Sequence, residues 1–416
     1  MPDMPEQLSL KKNVIWNSAG SFIYLFFQWL ISYLVVILLG FKDAGIFSLA
    51  VAIASVAFAA SIYGIRGYQV SDIRKKYSDK TYITTRLVTC ILSVIGVGIY
   101  VSVSHYDLYT AICIMTYLAF KMSEAFVDVY YGILQRSMRM DFVGMSFILR
   151  GVIANTLFII CAILTNNLLL SITVLAISSY VLIYLYDYKK VKLFYKKELT
   201  NSSTKQITLL LIECLPLAIY TLLSNLIVAM PRVSLESIRG TEILGIYASI
   251  AIPAAIIQVV AGFVFAPVLT VFADHVDKRN FRLFHRLLFK ILVYIFILSL
   301  AAIIIGAVVG DFGLKLLFGE TISDYTYLFL PILYISSLTA FSWFIGLMLT
   351  VIREFKGLII SSVVAVAICL FGSSAFIHAF DINGASFVLI TSLVAQIAIM
   401  SFAMFIKLRK LQTLSR

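Results

Sequence analysis

Charge is scarce in this chain, since only 13% of its 416 residues are Asp, Glu, Lys or Arg. Soluble globular domains carry roughly 25% charged residues, so a water-exposed surface of ordinary composition is excluded. Apolar residues make up 61% of the chain and the mean hydropathy is +1.00. We therefore expect an integral membrane protein with little mass outside the bilayer.

The side chains that support catalysis or metal binding are also few. The chain has four histidines and five cysteines, and no two cysteines have the CxxC spacing of a metal or redox site. The sequence contains no phosphate-binding loop and no Ser/His/Asp or Cys/His arrangement. We expect no catalytic residue, no metal and no cofactor, and we interpret the cysteines as small buried apolar residues. They are Cys90, Cys113, Cys161, Cys214 and Cys369.

Long apolar runs fill most of the sequence, separated by short polar or charged connectors. About 20 apolar residues suffice to cross roughly 30 Å of hydrocarbon as a helix. The runs are too long, and alternate too little, for the strands of a membrane barrel. The predicted class is an all-α polytopic membrane protein. Its predicted helices are 14–39, 45–64, 84–104, 108–134, 143–165, 168–186, 207–229, 243–268, 288–309, 325–350, 357–378 and 384–406.

Basic residues are distributed unevenly among the connectors. With an internal N-terminus, 28 of the 33 Lys and Arg residues fall at internal positions and only four at external ones. Cytoplasmic loops are enriched in Lys and Arg, so this split predicts both termini in the cytoplasm of a bacterial cytoplasmic membrane. The net charge of +12 is thus mainly a topology signal, and we expect no nucleic-acid partner.

The connector at residues 187–206 is the longest on the cytoplasmic side, and it is basic and polar. It divides the predicted helices equally. We therefore predict an N-terminal six-helix lobe over residues 1–186, a cytoplasmic linker over 187–206 and a C-terminal six-helix lobe over 207–416. The run from residue 14 exceeds the core of a signal peptide and is interpreted as a retained first span.

Polar residues recur along one face of the fourth predicted helix at spacings of 4, 3, 4, 3 and 4. This face extends over 18 residues, or about 27 Å, which is close to the thickness of the hydrocarbon. We predict that it lines a water-filled central cavity, although a buried ion-pair network is the alternative. The residues are Tyr117, Lys121, Glu124, Asp128, Tyr131 and Gln135.

Other polar residues fall within or at the ends of spans. Ionisable residues inside membranes are costly and usually face protein or water. In the first helix, Asn17, Ser21, Tyr24 and Gln28 repeat the helical spacing. Further candidates lie in or beside the second, fifth and seventh helices, and are Arg66, Arg150, Asn155, Glu213 and Arg232.

These residue types suit an anionic headgroup, because arginine holds phosphate through two parallel hydrogen bonds. The predicted substrate-binding residues are Arg66, Lys121, Arg150, Arg232, Asn17, Gln28, Tyr117 and Tyr131. Buried carboxylates can titrate or bind a cation. We therefore predict ion coupling, to H⁺ or Na⁺, through Glu124, Asp128 and Glu213. Because Lys121 is closer along the helix to Glu124, Asp128 is expected to take up the coupling ion.

Several stretches resemble one known family, the polysaccharide and O-antigen flippases of the multidrug/oligosaccharidyl-lipid/polysaccharide exporter superfamily. The stretch LLGFKDAGIFSLAVAIA at 38–54 resembles the turn between its first two helices. Similar matches run along the chain in the family's order. They are YGIRGYQVSD at 63–72, LQRSMRMDFVGMSFILRG at 134–151, MPRVSLESIRGTEILGIYASI at 230–250, FVFAPVLTVFADH at 263–275 and LFGETISDY at 317–325.

The resemblance implies two six-helix lobes around a central cavity, in a protein that exports a polyprenyl-diphosphate-linked oligosaccharide by alternating access. It also implies roles for Arg66, Arg150 and Arg232, which lie in the matched stretches. The expected partners are this lipid-linked sugar, membrane lipids, and the glycosyltransferases and polymerase of the same pathway.

Two other functions stay open at this point. A drug/cation antiporter of the same superfamily would share the fold and favour carboxylates in the cavity, and the fourth helix carries both signs of charge. A membrane glycosyltransferase or polymerase would need a catalytic region outside the hydrocarbon, whereas no external connector exceeds about 15 residues. We therefore expect a transporter and not an enzyme.

Overall fold

This computed structural model describes residues 7–72, 76–195 and 203–413. Within these ranges the regular secondary structure is helical. Eleven helices within these ranges are long and apolar enough to cross a membrane. The first runs from Leu10 to Ile62, or 53 residues, and at 1.5 Å per residue would be about 80 Å long. This is more than twice the hydrocarbon thickness, so one straight span is excluded.

Gly40 divides that first helix into two spans. Its φ of 84° and ψ of 176° are not helical, and glycine reaches positive φ without the steric cost that a Cβ imposes. The predicted break between the first two spans is therefore confirmed. The segments 10–39 and 41–62 are named α1 and α2.

A short helix, Ile65–Ser71, follows α2 and lies at the predicted inside end. Ten further spans complete the described fold and confirm the predicted class. They are α3 Asp79–Val103, α4 Leu108–Arg136, α5 Met140–Thr165, α6 Leu168–Lys192, α7 Thr204–Arg239, α8 Thr241–Asp277, α9 Phe281–Phe318, α10 Phe329–Val351, α11 Phe355–Phe380 and α12 Asn383–Thr413.

Two predicted helix starts were wrong by five residues or more. α3 begins at Asp79 instead of 84, after Ser78 caps it by accepting a hydrogen bond from the Thr81 amide. α9 begins at Phe281 instead of 288, because Asn280 caps it in the same way. In both places a polar cap and a charged first turn extend a helix beyond its apolar run.

The external connector before α10 was also predicted as a loop, and this was wrong. α9 continues to Phe318, and a 3₁₀ helix spans Glu320–Leu328. Gly319 joins the two helices at a φ of 80°. The connector between the apolar parts of α9 and α10 is therefore largely helical.

Two compact units make up the structure, Met1–Asn225 and Leu226–Arg416. The boundary falls inside α7, whose first part packs with the first unit and whose remainder packs with the second. The predicted division at 187–206 stays a prediction. Residues 196–202 of that predicted linker lie outside the described residues, whereas α6 extends to Lys192.

Glycines bring two helices of the first unit into backbone contact. A Cβ added to Gly144 of α5 would collide with the carbonyl oxygen of Trp16 in α1, and one added to Gly20 would collide with the Gly144 backbone. Small residues let membrane helices approach this closely. The crossing places the polar face of α1 against α4 and α5.

Uncharged polar groups join the helices of the second unit. Gln396 of α12 accepts a hydrogen bond from Ser342 of α10 at 2.9 Å and donates one to Ser362 of α11 at 3.2 Å. Tyr247 of α8 lies 3.1 Å from the Ser386 hydroxyl of α12. Such bonds commonly hold membrane helices together, so uncharged groups join α8, α10, α11 and α12.

Candidate functional site

α4 packs against α1, α2, α3, α5 and α6 of the first unit. Its polar face is therefore surrounded by helices, and each predicted member of that face contacts a neighbouring side chain. The alternative expected from sequence, a buried ion-pair network, describes these contacts. We name the charged set the α4 charge network and define it by its members. They are Arg66, Arg86, Lys121, Glu124, Asp128, Arg150 and Asp187.

Asp128 binds two arginines at once. Its Oδ1 accepts a hydrogen bond from Arg66 Nη1 at 3.2 Å, and its Oδ2 accepts one from Arg86 Nη2 at 2.8 Å. Arg86 comes from α3 and is completely buried, while the Arg66 side chain is 25% exposed. The sequence analysis named no partner for Asp128 and expected it to take up the coupling ion; both partners found here lie on other helices.

Arg66 makes further contacts that fix its direction. Nε and Nη2 both donate to Oε1 of Gln135, at 3.1 and 2.9 Å. Its guanidinium carbon lies 5.7 Å from the centre of the Tyr131 ring. The side chain is thus anchored on α4 and keeps a quarter of its surface open.

Lys121 and Glu124 form the ion pair that their spacing predicted, with Nζ 2.6 Å from Oε2. Glu124 also accepts a hydrogen bond from the hydroxyl of Tyr24 in α1. The ammonium group lies 5.2 Å from the Phe120 ring centre and 5.7 Å from that of Phe58. Both charged side chains remain partly exposed, at 17% and 12%.

Arg150 pairs with Asp187, and this contact joins α5 to α6. Arg150 Nη2 donates to Asp187 Oδ2 at 2.9 Å, and both side chains are almost fully buried. Each residue belongs to a π-helical turn, Arg150–Ala154 in α5 and Ile183–Asp187 in α6. Single π-turns within α-helices are rare and frequent at functional sites.

Unsatisfied polar atoms surround this pair. Arg150 Nε and Nη1 and Asp187 Oδ1 are buried without a hydrogen-bond partner, as is Nδ2 of Asn155 one π-turn further along α5. A buried polar atom without a partner costs about 1–3 kcal/mol. The Arg150 region therefore has hydrogen-bonding capacity that the described protein atoms do not use.

The uncharged candidates are buried or half-buried, and most of them contact side chains of neighbouring helices. Tyr117 is 2% exposed and packs edge-on against Phe47, while Tyr131 is 3% exposed and its hydroxyl lies 2.7 Å from that of Ser146. Gln28 donates to Asn155 Oδ1 at 3.2 Å. Asn17 is half-buried near the α1–α5 crossing.

Glu213 lies in the first unit and connects α7 to the segment before α3. It pairs with Lys76 and accepts a hydrogen bond from the Tyr77 hydroxyl at 3.1 Å. The Glu213 hydrogen bond raises the pKa of Lys76 above its usual value. Glu213 is therefore not adjacent to Glu124 and Asp128 in the polar contacts, although all three were predicted to couple ions.

Arg232 differs from the other arginines. It lies in the part of α7 that belongs to the second unit, and Pro231 does not end that helix, which continues to Arg239. The Arg232 side chain is half-buried, and no carboxylate of the described residues forms an ion pair with it. Arg232 is thus an unneutralised cation within an apolar unit.

The α4 charge network carries more positive than negative charge. Four cations, Arg66, Arg86, Lys121 and Arg150, face three carboxylates, Glu124, Asp128 and Asp187. An excess cation inside a membrane is costly unless an anion accompanies it. This arrangement can bind an anionic group, and Arg66 and Lys121 are its most exposed cations. In the described ranges, no three His, Cys, Asp or Glu side chains converge to hold a metal ion.

Arg86 and Asp187 were the two members of the network that sequence reasoning missed. Arg86 was counted among the basic residues of the internal side, at the start of the third predicted helix, and Asp187 was assigned to the start of the linker. A signal for Arg86 did exist, since Asp79, Tyr82, Arg86 and Thr89 are spaced 3, 4 and 3 and are all buried on α3. No comparable pattern marks Asp187, because a π-turn shifts its register.

The fold is that of a class of multi-pass membrane transporter structures. A multidrug resistance MATE family transporter of the MOP superfamily in an inward-facing conformation superposes with a TM-score of 0.71 at 15% identity, covering 97% of this chain and 99% of that one. The MATE transporter VcmN of Vibrio cholerae, in a mutant form, gives a TM-score of 0.65 at 14% identity, with 96% of both chains covered.

The family itself is defined by sequence. The family model described as polysaccharide biosynthesis protein matches residues 10–272, so the chain belongs to that family. The capsular polysaccharide biosynthesis protein CapF of Staphylococcus aureus is 28% identical over 299 residues, which cover 69% of this chain and 72% of that protein. The resemblance predicted from the motifs is confirmed.

Proposed function

We propose that this protein translocates a polyprenyl-diphosphate-linked oligosaccharide across the bacterial cytoplasmic membrane for surface polysaccharide synthesis. The proposed cycle is alternating access, with both termini in the cytoplasm. Membership of the polysaccharide biosynthesis family and the MATE-like fold support this proposal. The proposed partner enzymes are the glycosyltransferases and the polymerase of the same pathway.

The excess positive charge of the α4 charge network is the observation that carries the proposal. A diphosphate headgroup brings negative charge, which neutralises the surplus cation and gains strength in a medium of low dielectric constant. An organic cation would instead add to the surplus. This charge balance favours the flippase over the drug/cation antiporter.

Arg66 and Lys121 are the residues that we propose meet the phosphates in the first unit, because both keep exposed surface. Releasing Arg66 from Asp128 leaves that carboxylate paired with Arg86, so an incoming phosphate does not strand a buried charge. Arg232 supplies a cation without a carboxylate partner in the second unit. Arg150 is held by Asp187, and we propose that it acts behind the more exposed cations.

For ion coupling, H⁺ or Na⁺, Glu124 is a better candidate than Asp128. Two guanidinium groups stabilise the Asp128 carboxylate, whereas Glu124 has one ammonium and one tyrosine hydroxyl as partners. Neutralising Glu124 would release Lys121 toward a phosphate. Asp128 then balances the charges of Arg66 and Arg86. Glu213 holds α7 to the segment before α3 through Lys76.

The test is reconstitution of the full chain in vesicles that carry a fluorescent polyprenyl-diphosphate oligosaccharide. A membrane-impermeant quencher reports how much substrate crosses the bilayer. We expect Arg66→Gln and Lys121→Gln each to slow crossing by about tenfold or more, since each charge-assisted contact contributes about 1.5–3 kcal/mol. Arg139→Gln is the matched control, because Arg139 pairs locally with Asp141 at 2.7 Å. Normal crossing by both network variants would refute the site.

A further inference from the structure

α9 presents one continuous face that changes from charged to apolar along its length. Arg282, Arg286 and Lys290 are spaced four apart and are all exposed. The same face continues at helical spacings of three and four through exposed apolar residues. These are Val293, Ile297, Leu300, Ile304 and Val308, with exposures of 36%, 55%, 44%, 55% and 78%.

The apolar part of this face fits the lipid tails. From Val293 to Val308 the helix rises about 22 Å, within the roughly 30 Å of hydrocarbon. Such a run of exposed aliphatic side chains on a membrane helix is stable against lipid and unfavourable in water. The position of this run fixes the depth of the three cations that precede it.

Lys290 and Arg286 therefore lie near the level of the lipid headgroups, and Arg282 lies beyond them on the water side. Lys290 precedes Val293 by about 4.5 Å along the helix, Arg286 by about 10 Å and Arg282 by about 16 Å. A headgroup layer is roughly 5–7 Å thick on each side, and long basic side chains reach along the bilayer normal. Tyr294, which is 56% exposed, lies at the same border, where tyrosine is enriched.

Little negative charge opposes this basic stripe, which we define as Arg282, Arg286 and Lys290. None of the three forms an ion pair within the part of the chain that the structure describes. On the neighbouring end of α8, Asp274 is already paired with Lys278 at 2.8 Å. Asp277, at the end of α8, is exposed and forms no ion pair with these three residues in the described ranges. The stripe thus keeps its charge.

We propose that the basic stripe is a binding site for the phosphate headgroup of an anionic bilayer phospholipid, which is distinct from the transported substrate. The acyl chains of the lipid lie along the apolar part of the same α9 face. Each basic residue near an anionic surface contributes to attraction, and three residues on one face concentrate that attraction at one place. Bound lipid would stabilise the second unit.

Thermal unfolding of the full chain in lipid nanodiscs tests this site. Phosphatidylglycerol is titrated into phosphatidylcholine, and the fraction that gives half of the maximal rise in Tm is measured. For a variant with Arg282→Gln, Arg286→Gln and Lys290→Gln, this fraction should rise by about tenfold or more. All three side chains are exposed, so the Tm in pure phosphatidylcholine should equal that of the parent.

The control variant removes three other exposed cations, through Lys11→Gln, Lys12→Gln and Lys410→Gln. We expect it to respond to phosphatidylglycerol like the parent. An equal loss of response in both variants would overturn the site, because the effect would then come from total charge. A response confined to added polyprenyl phosphate would also overturn it, by assigning the stripe to the substrate lipid.

Discussion

Arg150 Nη2 lies 2.9 Å from Asp187 Oδ2, and both residues occupy π-helical turns of adjacent helices. The pair is buried, so each charge depends on the other. Removing one partner of a buried ion pair typically costs about 3–5 kcal/mol, whereas replacing both with apolar residues of similar volume is often neutral. We expect Asp187→Ala to lower stability strongly, and Arg150→Met with Asp187→Leu to lower it much less.

Thermal unfolding in nanodiscs measures this difference. Asp141→Ala is the control, because the side chains of the Arg139–Asp141 pair are 11% and 19% exposed, against 3% and 2% for Arg150 and Asp187, so its loss should be smaller. If the double variant proved as unstable as the Asp187 single variant, the two residues would not act as a charge pair.

The α1–α5 crossing gives a second prediction. Gly144→Ala places a Cβ against the Trp16 carbonyl oxygen, and both groups are backbone-fixed, so the helices must separate. Overpacking of this kind costs typically about 1–3 kcal/mol. Gly96→Ala in α3 is the matched control, since nothing lies within 4 Å of its added Cβ, and it should be neutral or stabilising. Equal stability of both variants, measured by Tm, would contradict the close crossing.

Asp128 gives a third prediction, because it neutralises Arg66 and Arg86 together. Asp128→Asn keeps the shape but leaves the buried Arg86 without a carboxylate, so we expect a large loss of stability. Restoring balance with Arg86→Gln in the same chain should recover much of that loss.

Ion coupling is tested in vesicles with an imposed H⁺ or Na⁺ gradient. Transport by the Asp128→Asn, Arg86→Gln double variant should remain gradient-dependent, and transport by Glu124→Gln should not. The opposite result would return the coupling role to Asp128.

Topology gives a fourth prediction. The 28-to-4 division of basic residues predicts both termini in the cytoplasm. A protease-cleavable tag after Arg416 should be protected in intact spheroplasts and cut after permeabilisation. A cysteine at Lys315, near the predicted outside end of α9, should be labelled by an impermeant maleimide without permeabilisation. External cleavage of the tag would require a different arrangement of spans.

The spans could be predicted from sequence because the bilayer imposes one requirement on every helix, a run of about 20 apolar residues. The Gly40 break was recognisable for the same reason, since the combined run is too long for one span. The Lys121–Glu124 pair was predictable because both residues lie on one helix.

The partners of Asp128 and Arg150 could not be predicted, because they come from other helices. Arg66 and Arg86 precede Asp128 by 62 and 42 residues, and helix packing alone brings them together. Apolar content also placed the start of α3 too late and the end of α6 too early along the chain. This left Arg86 at the very start of its predicted helix and Asp187 in the linker, whereas a cap and a π-turn extend the two helices, and both side chains are buried.

The charge preference of transport tests the central claim most directly. Vesicles containing the full chain are loaded with a fluorescent polyprenyl-diphosphate oligosaccharide or with a fluorescent organic cation, and protein-dependent crossing of each is measured. The surplus positive charge of the α4 charge network predicts crossing of the diphosphate-linked sugar and none of the cation, with Arg66→Gln lowering the former. Crossing of the cation alone, unaffected by Arg66→Gln, would contradict the account.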